Sequence, residues 1–308
     1  MLEIITSILT RTVIAGTPLL LGTLGELLCE RAGILNLGVE GMMSIGAVSG
    51  FIVTFTTGNP WMGMIVAILM GALISLLHAF VTVSLRANQV VSGLALTMLG
   101  LGLSGLWGKP YIGRPLSIKM QPIAIPGLSD IPVLGDVLFY QDAYFYLSVA
   151  LGILVWFILK HTRIGITVRS VGENPKAAET MGVNVSLVKY LCVMAGGAFA
   201  GMAGAHLSTA YSKSWIEGMT SGRGWIVIAL TIFALWEPSK AFVGAYVFGG
   251  IFVLQYVLQP LGISPNLLAM LPYVTTLGVL LFYGMSKGGK RKMSAPATLG
   301  EPYIRGGR

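Results

Sequence analysis

The stretch GELLCERAGILNLGVEGMM, residues 25–43, decides how this chain is read, because it places Glu26, Glu30, Arg31 and Glu40 between two strongly apolar runs. A charge at the centre of a bilayer costs at least ~2.5–3.5 kcal/mol on insertion scales, so these groups face protein, water or headgroups rather than lipid. Two arrangements meet that demand. In one, the stretch is a short interfacial loop in which Glu30 and Arg31 are solvated between complete spans. In the other, Gly33, Gly38 and Gly41 interrupt the apolar pattern because a discontinuous helix lines a polar cavity. Glu40, inside an otherwise apolar run, is the charge the first arrangement explains least; in the second, Asn36 brings amide donors and acceptors toward mid-membrane.

The rest of the chain supports a membrane setting. Of 308 residues, 55% are hydrophobic and only 10% charged, with a mean hydropathy of +0.80; soluble domains carry roughly 25% charged residues. Apolar windows fall near 12–28, 37–57, 61–84, 89–107, 140–160, 188–211, 224–236, 241–258 and 267–285. Helices cross the hydrocarbon core with about 20 such residues and satisfy their own backbone hydrogen bonds. The expected fold class is therefore all-α: a polytopic integral membrane helical bundle over residues 1–286, of about 9–10 transmembrane segments, with a broken helix near 25–43.

The net charge of +8 does not point to nucleic acid, because the cations are spread through short loops and the tail, where they read as topology signals. Membrane lipid is the expected surroundings. The opening MLEIITSILTR lacks a basic n-region and a small-residue cleavage site, so no removable signal peptide is expected. Residues 160–189 carry Lys160, Arg163, Arg169, Lys176 and Lys189 against Glu173 and Glu179, and the tail 287–308 carries six basic residues against Glu301. Both belong in the cytoplasm, and the even number of spans between them agrees. The external loop is 108–139, where prolines at 110, 115, 122, 126 and 132 forbid a continuous helix. Nine full spans put the amino terminus outside; a half-crossing at 25–43 puts it inside. Both remain open at this level.

Chemistry-bearing motifs are absent. No GxxxxGK[ST] phosphate loop and no GxSxG elbow occur, and His78, His161 and His206 have no ligand spacing. The expectation is a transport subunit rather than an enzyme, with no metal and no cofactor in this chain. Cys29 and Cys192 are not expected to form a disulfide. Small residues at Gly197, Gly201 and Ala205, and at Gly100, Gly102 and Gly105, suit close helix packing in lipid.

A second informative stretch is VGENPKAAETMGVN, residues 171–184. Asn174 suits an N-cap, Pro175 the first helical position, and Gly182 a left-handed stop. The result is about two turns of helix, too short to span, with Ala177, Ala178 and Met181 as a smooth apolar face flanked by Lys176 and Glu179. A cytoplasmic helix of that shape suits docking in another protein's groove.

The segments GELLCERAGILNLGVEGMMSIGA at 25–47, NQVVSGLALTMLG at 88–100 and TRIGITVRSVGENPKAAETMGVNV at 162–185 resemble the membrane permeases of ATP-binding-cassette importers of the branched-chain amino acid, simple sugar and nucleoside group. The likeness covers nearly the whole chain and is strongest to the shorter permease of bacterial nucleoside importers of the Bmp or guanosine type. It implies that Arg169, Gly172, Glu173, Asn174, Pro175, Ala177, Ala178 and Gly182, with Lys176 and Glu179 between them, form the loop that couples to an ABC ATPase. It also implies a second permease subunit in a heterodimer, an extracytoplasmic substrate-binding lipoprotein, ATP and Mg in the partner ATPase, and a multi-pass place in the bacterial cytoplasmic membrane. Gln89 replaces an acidic residue of the related pattern NEVVSG. The expected substrate, a nucleoside or related simple sugar, would pass residues Glu26, Asn36, Glu40 and Gln89, while Glu30 and Arg31 serve as a structural or gating charge pair. The competing reading is an ion-driven secondary transporter, with the intramembrane carboxylates as coupling sites; the lack of two related halves speaks against it.

Overall fold

A computed structural model describes residues 2–285 and 295–304. Among the described residues, seven helices are long and apolar enough to cross a membrane, beginning with α1 (Leu2–Arg31), α2 (Val39–Thr57), α3 (Pro60–Ala79, continued as a π-turn to Ser84) and α4 (Gln89–Gly108). They continue with α5 (Ala143–His161), α8 (Val185–His206, continued as a π-turn to Tyr211) and α10 (Pro238–Leu258). The short helices α6 (Arg163–Glu173) and α7 (Pro175–Thr180) lie between α5 and α8, while α9 (Arg223–Phe233), α11 (Pro265–Ala269) and α12 (Leu271–Met285) fall later. The nine apolar windows thus become seven full-length helices plus the shorter α9 and α12.

Local chemistry fixes the starts. Asn59 accepts from Trp61 N and Met62 N with Pro60 at the first position of α3, Asn88 caps α4 through Val91 N, and Asp142 caps α5 through Phe145 N at 3.1 Å. The long loop between α4 and α5 is stapled by a two-residue antiparallel ladder, β1 (Ile123–Ala124) with β2 (Tyr140–Gln141).

The bundle is held by close backbone approach. Helix α8 packs on α1, α2 and α3, α1 also packs on α10, and α2 on α4. A Cβ on Gly41 would lie 2.6 Å from Leu96 O and 2.7 Å from Thr97 Cα, and one on Gly71 would lie 2.8 Å from Gly201 Cα. Only glycine permits those crossings, which replace the hydrophobic drive that lipid cannot supply. Cys29 and Cys192 are free thiols, with Cys29 Sγ 3.5 Å from Cys192 O.

Two of the traverses are broken. Helix α1 runs without interruption through Glu26 and Glu30, so the break expected near 25–43 is confined to residues 32–38. From there the chain climbs along α4: Leu35 meets Gln89, Leu37 packs on Gly93, and Gly41 on Gly100. The second break is the non-helical stretch 212–222 before α9. Helix α9, 11 residues, spans only about 16 Å. It runs from the level of Glu40 back to that of Arg31. Gly33 lies against Gly172, which puts the end of α1 beside α6. The 30-residue α1, roughly 45 Å long, therefore begins at the opposite end of the bundle.

Candidate functional site

The polar interior is built around the first break. Glu26 and Glu30, one turn apart on α1, are both about 1% exposed. Asn36 N donates to Glu26 Oε1 at 3.2 Å, and Asn36 Oδ1 accepts from Gly38 N at 3.1 Å. Asn36 thus closes a turn on itself while tying the break to α1. Trp236 Nε1 donates to Glu30 Oε2, and Arg31 Nε donates to Trp236 O at 3.0 Å. Glu30 and Arg31 do not pair with each other. Both charges instead meet at Trp236, which with Leu235 adopts a left-handed backbone, φ 55° and 53°. Glu26 Oε2 and Glu30 Oε1 are buried without a protein partner among the described residues.

Glu40 has a different task. Its Oε1 accepts from Thr220 Oγ1 at 2.6 Å and Gly222 N at 2.8 Å, and its Oε2 from Gly224 N at 2.6 Å. Gly222 N and Gly224 N are donors at the start of α9 that have no partner within the helix, so a carboxylate from α2 caps a half-helix across the bundle and meets the positive end of its dipole. Gln89 is also fully engaged, accepting from Leu35 N at 2.7 Å and donating to Glu301 O at 3.2 Å. Asn36 thus joins Glu26 directly, Gln89 anchors another point of the break at 32–38, and Glu40 holds the break at 212–222.

The histidines are packed. His78 lies 2.9 Å from Ser92 Oγ and 3.2 Å from Leu35 O, His206 sits 3.4 Å from Asp142, and His161 stands against the Trp156 and Phe157 rings.

Arg223 escaped the sequence reading because it sits one residue before an apolar window. It is 8% exposed, donates to Met219 O at 3.1 Å and Thr220 O at 3.3 Å, and lies 4.9 Å over the Phe252 ring and 5.5 Å over Tyr211. A lone arginine between Gly222 and Gly224 was the available signal. Near it, a cavity of about 700 Å³ lies between the first half of α1 and the second half of α10, lined by Arg11, Tyr211, Lys213 and Tyr256 among others.

The second cluster is the end face formed by α6 and α7. Thr162 caps α6, and Asn174 Oδ1 accepts from Ala177 N at 3.0 Å to start α7, with Pro175 at its first position. Gly182, at φ 85°, turns the chain out of it. The expected smooth apolar face is divided: Ala178 is buried with Val171 and Val185, whereas Ala177 and Met181 point outward, Met181 84% exposed. Arg169 and Lys176 lie on the exposed side as well.

The tail adds to this face. Residues 286–294 and 305–308 lie outside the described part, but 295–304 fold back onto α6 and α7. Tyr303 and Thr298, which touch α7 and α6, were not singled out by sequence, where the tail stood out only for its basic residues.

Comparison with known proteins gives the arrangement a family. Residues 8–280 match the model described as "Branched-chain amino acid transport system / permease component". The chain is 43% identical to a Haloferax volcanii protein assigned as a glucose ABC transporter permease, TsgC13, over 97% of each chain. It is 36% identical to the guanosine ABC transporter permease protein NupQ of Bacillus subtilis, over 99% of each. The same two organisms hold a second similar permease, TsgB13 and NupP, each 26% identical over 80% and 70% of this chain. In fold, the chain resembles an inward-facing ABC transporter structure of the metal-chelate type, with a TM-score of 0.52, 15% identity, and coverage of 89% of this chain and 84% of that one. A bundle of seven full-length apolar helices, two broken traverses and a capped helix on one end face is thus a multi-pass cytoplasmic-membrane permease component, and the chain belongs to the branched-chain amino acid transport system permease family.

Proposed function

We propose that this chain forms half of the translocation path of an importer for a nucleoside or related simple sugar, pairs with a second, similar permease, and is driven by a separate ATPase that binds ATP and Mg. An extracytoplasmic binding lipoprotein delivers the substrate. The observation that carries this reading is α7. It is a six-residue helix capped at both ends, seated through Ala178, with Ala177 and Met181 turned outward and Gly172 in backbone contact with Arg31 and Gly33 at the helix break. Such an element can receive a partner on one side and pass its movement to the polar break on the other. A partner moves it only by binding its two positions unequally, which is what closure of an ATPase dimer on ATP would supply.

Relatives named for guanosine and for glucose both support a neutral, hydroxyl-rich solute. In this reading Glu26, Asn36, Glu40 and Gln89 act on the path by holding the stretches 32–38 and 212–222 that flank it, and Glu30 and Arg31 set the position of the turn at Trp236. The test is radiolabelled uptake by proteoliposomes containing the whole complex, competed with nucleosides, pentoses and branched-chain amino acids. Ala177→Trp and Met181→Trp, which enlarge only the outward side of α7, should abolish uptake while the complex still inserts. Full uptake with both variants would refute coupling through α7, and competition by branched-chain amino acids alone would refute the substrate class.

A further inference from the structure

Residues 295–304 form an ordered strap that touches the end face at several separate places. The strap turns on itself through Leu299 N to Pro296 O at 3.0 Å and Glu301 N to Thr298 O at 3.1 Å, with Gly300 at φ 83°. On the side of α6 and α7, Thr298 N and Thr298 Oγ1 both donate to Gly172 O, at 3.0 and 2.6 Å. Ala297 N donates to Glu173 Oε2 at 3.3 Å, and Tyr303 OH donates to Glu179 Oε2. The Tyr303 ring also packs on the Val171, Ala178 and Val185 cluster and lies 5.9 Å from Lys189 Nζ. On the side of the helix break, Glu301 O accepts from Gln89 Nε2, whose Oε1 accepts from Leu35 N. Thr298 Oγ1 meanwhile fills the space beside Gly33, 2.7 Å from where a Cβ there would stand.

A helix as short as α7 has no stability of its own, since nucleating a turn is unfavourable, so its placement comes from what it packs against. Its seat on α6 and α8 is small and apolar, and the strap adds directional contacts to Glu179 on α7 and to Gly172 and Glu173 at the end of α6. We propose that Thr298, Glu301 and Tyr303 are positioning residues for coupling: the strap fixes α7 to the break at 32–38, so that displacement of one is delivered to the other. The inference rests on the coupling role assigned to α7 above. It adds that the linkage runs through the carboxy-terminal segment as well as through α6.

The test uses the full complex in proteoliposomes, measuring substrate moved per ATP hydrolysed. A chain ending at Ser294 and the double variant Thr298→Val with Tyr303→Phe should each hydrolyse ATP at the basal rate but move at least about five-fold less substrate per ATP, the lower end of usual coupling strengths. Thr298→Ser in an otherwise unchanged chain should keep the ratio, because its hydroxyl still reaches Gly172 O. If the shortened chain fails to assemble, the double variant, which removes only two hydroxyls, decides. An unchanged ratio in that variant overturns the strap's role when Ala177→Trp uncouples transport. An unaffected Ala177→Trp would instead remove the coupling reading on which the strap depends.

Discussion

Glu40, on the first turn of α2, and Gly224, on the first turn of α9, are joined by a 2.6 Å hydrogen bond that seats a half-helix on a neighbouring element rather than on its own cap. Gly222 precedes α9 with φ 78° and supplies no side-chain cap, so the carboxylate of Glu40 accepts from the backbone N–H groups of Gly222 and Gly224 as well as from the Thr220 hydroxyl.

Glu40→Gln should therefore destabilise the protein. One carboxylate oxygen becomes an NH₂ facing an N–H or hydroxyl donor, and the charge that complements the helix dipole disappears. The expected cost is about 1–3 kcal/mol, read as a lower melting temperature of the detergent-purified protein. An unchanged melting temperature would show that α9 holds its place without this contact.

Glycine substitutions should separate by position. Gly41→Ala pushes a methyl group onto Leu96 O and Thr97 Cα, whereas Gly102, on the neighbouring α4, has nothing within 4 Å of its Cβ position. Overpacking of this kind costs about 1–3 kcal/mol, so Gly41→Ala should lower the yield of folded protein and its melting temperature. Gly102→Ala should leave both unchanged. Equal behaviour of the two would argue against the α2 and α4 crossing.

Much of this architecture was legible because membranes restrict what a chain can do. Apolar windows located every full-length helix, and Asn174, Pro175 and Gly182 announced α7 through cap chemistry alone. Glu40 signalled a polar interior, yet its partners, the backbone N–H groups of Gly222 and Gly224, carry no sequence signal. The break at 212–222 stayed hidden because an apolar window shortened by a few residues looks like an ordinary span with uncertain ends. Trp236 was invisible for the opposite reason: its indole N–H reaches Glu30 from more than two hundred positions away, and no periodicity predicts that. The strap's contacts had no signal in the sequence, because a basic tail composition says nothing of which groups Tyr303 meets.

Trp236→Phe should expose how much the end of α1 depends on that indole. Phenylalanine keeps most of the apolar body but removes the donor to Glu30, whose other oxygen already lacks a protein partner. Leaving a buried carboxyl so poorly satisfied costs about 1–3 kcal/mol or more, and Glu30→Gln in the same chain should recover part of the loss by removing the charge. Thermal unfolding of the two single variants and the double variant measures this coupling. Simple additivity would mean that Glu30 and Trp236 do not act as a unit.

Asn174→Ala and Gly182→Ala test whether α7 must be held at both ends. The first removes the acceptor for Ala177 N and should cost about 1 kcal/mol locally. The second forces a side chain into a left-handed backbone at φ 85°, which costs about 1–2 kcal/mol. Gly182 has open space where its Cβ would stand, so the penalty there is purely conformational. Neither change touches the buried seat at Ala178, so the membrane bundle should keep its melting temperature while α7 frays. Uptake per ATP should fall in each variant, and amide exchange over residues 174–182 should speed up. Faster exchange with undiminished uptake would mean that α7 works without a fixed shape, and transmission would then have to pass through α6 and the strap's contacts at Gly172 and Glu173.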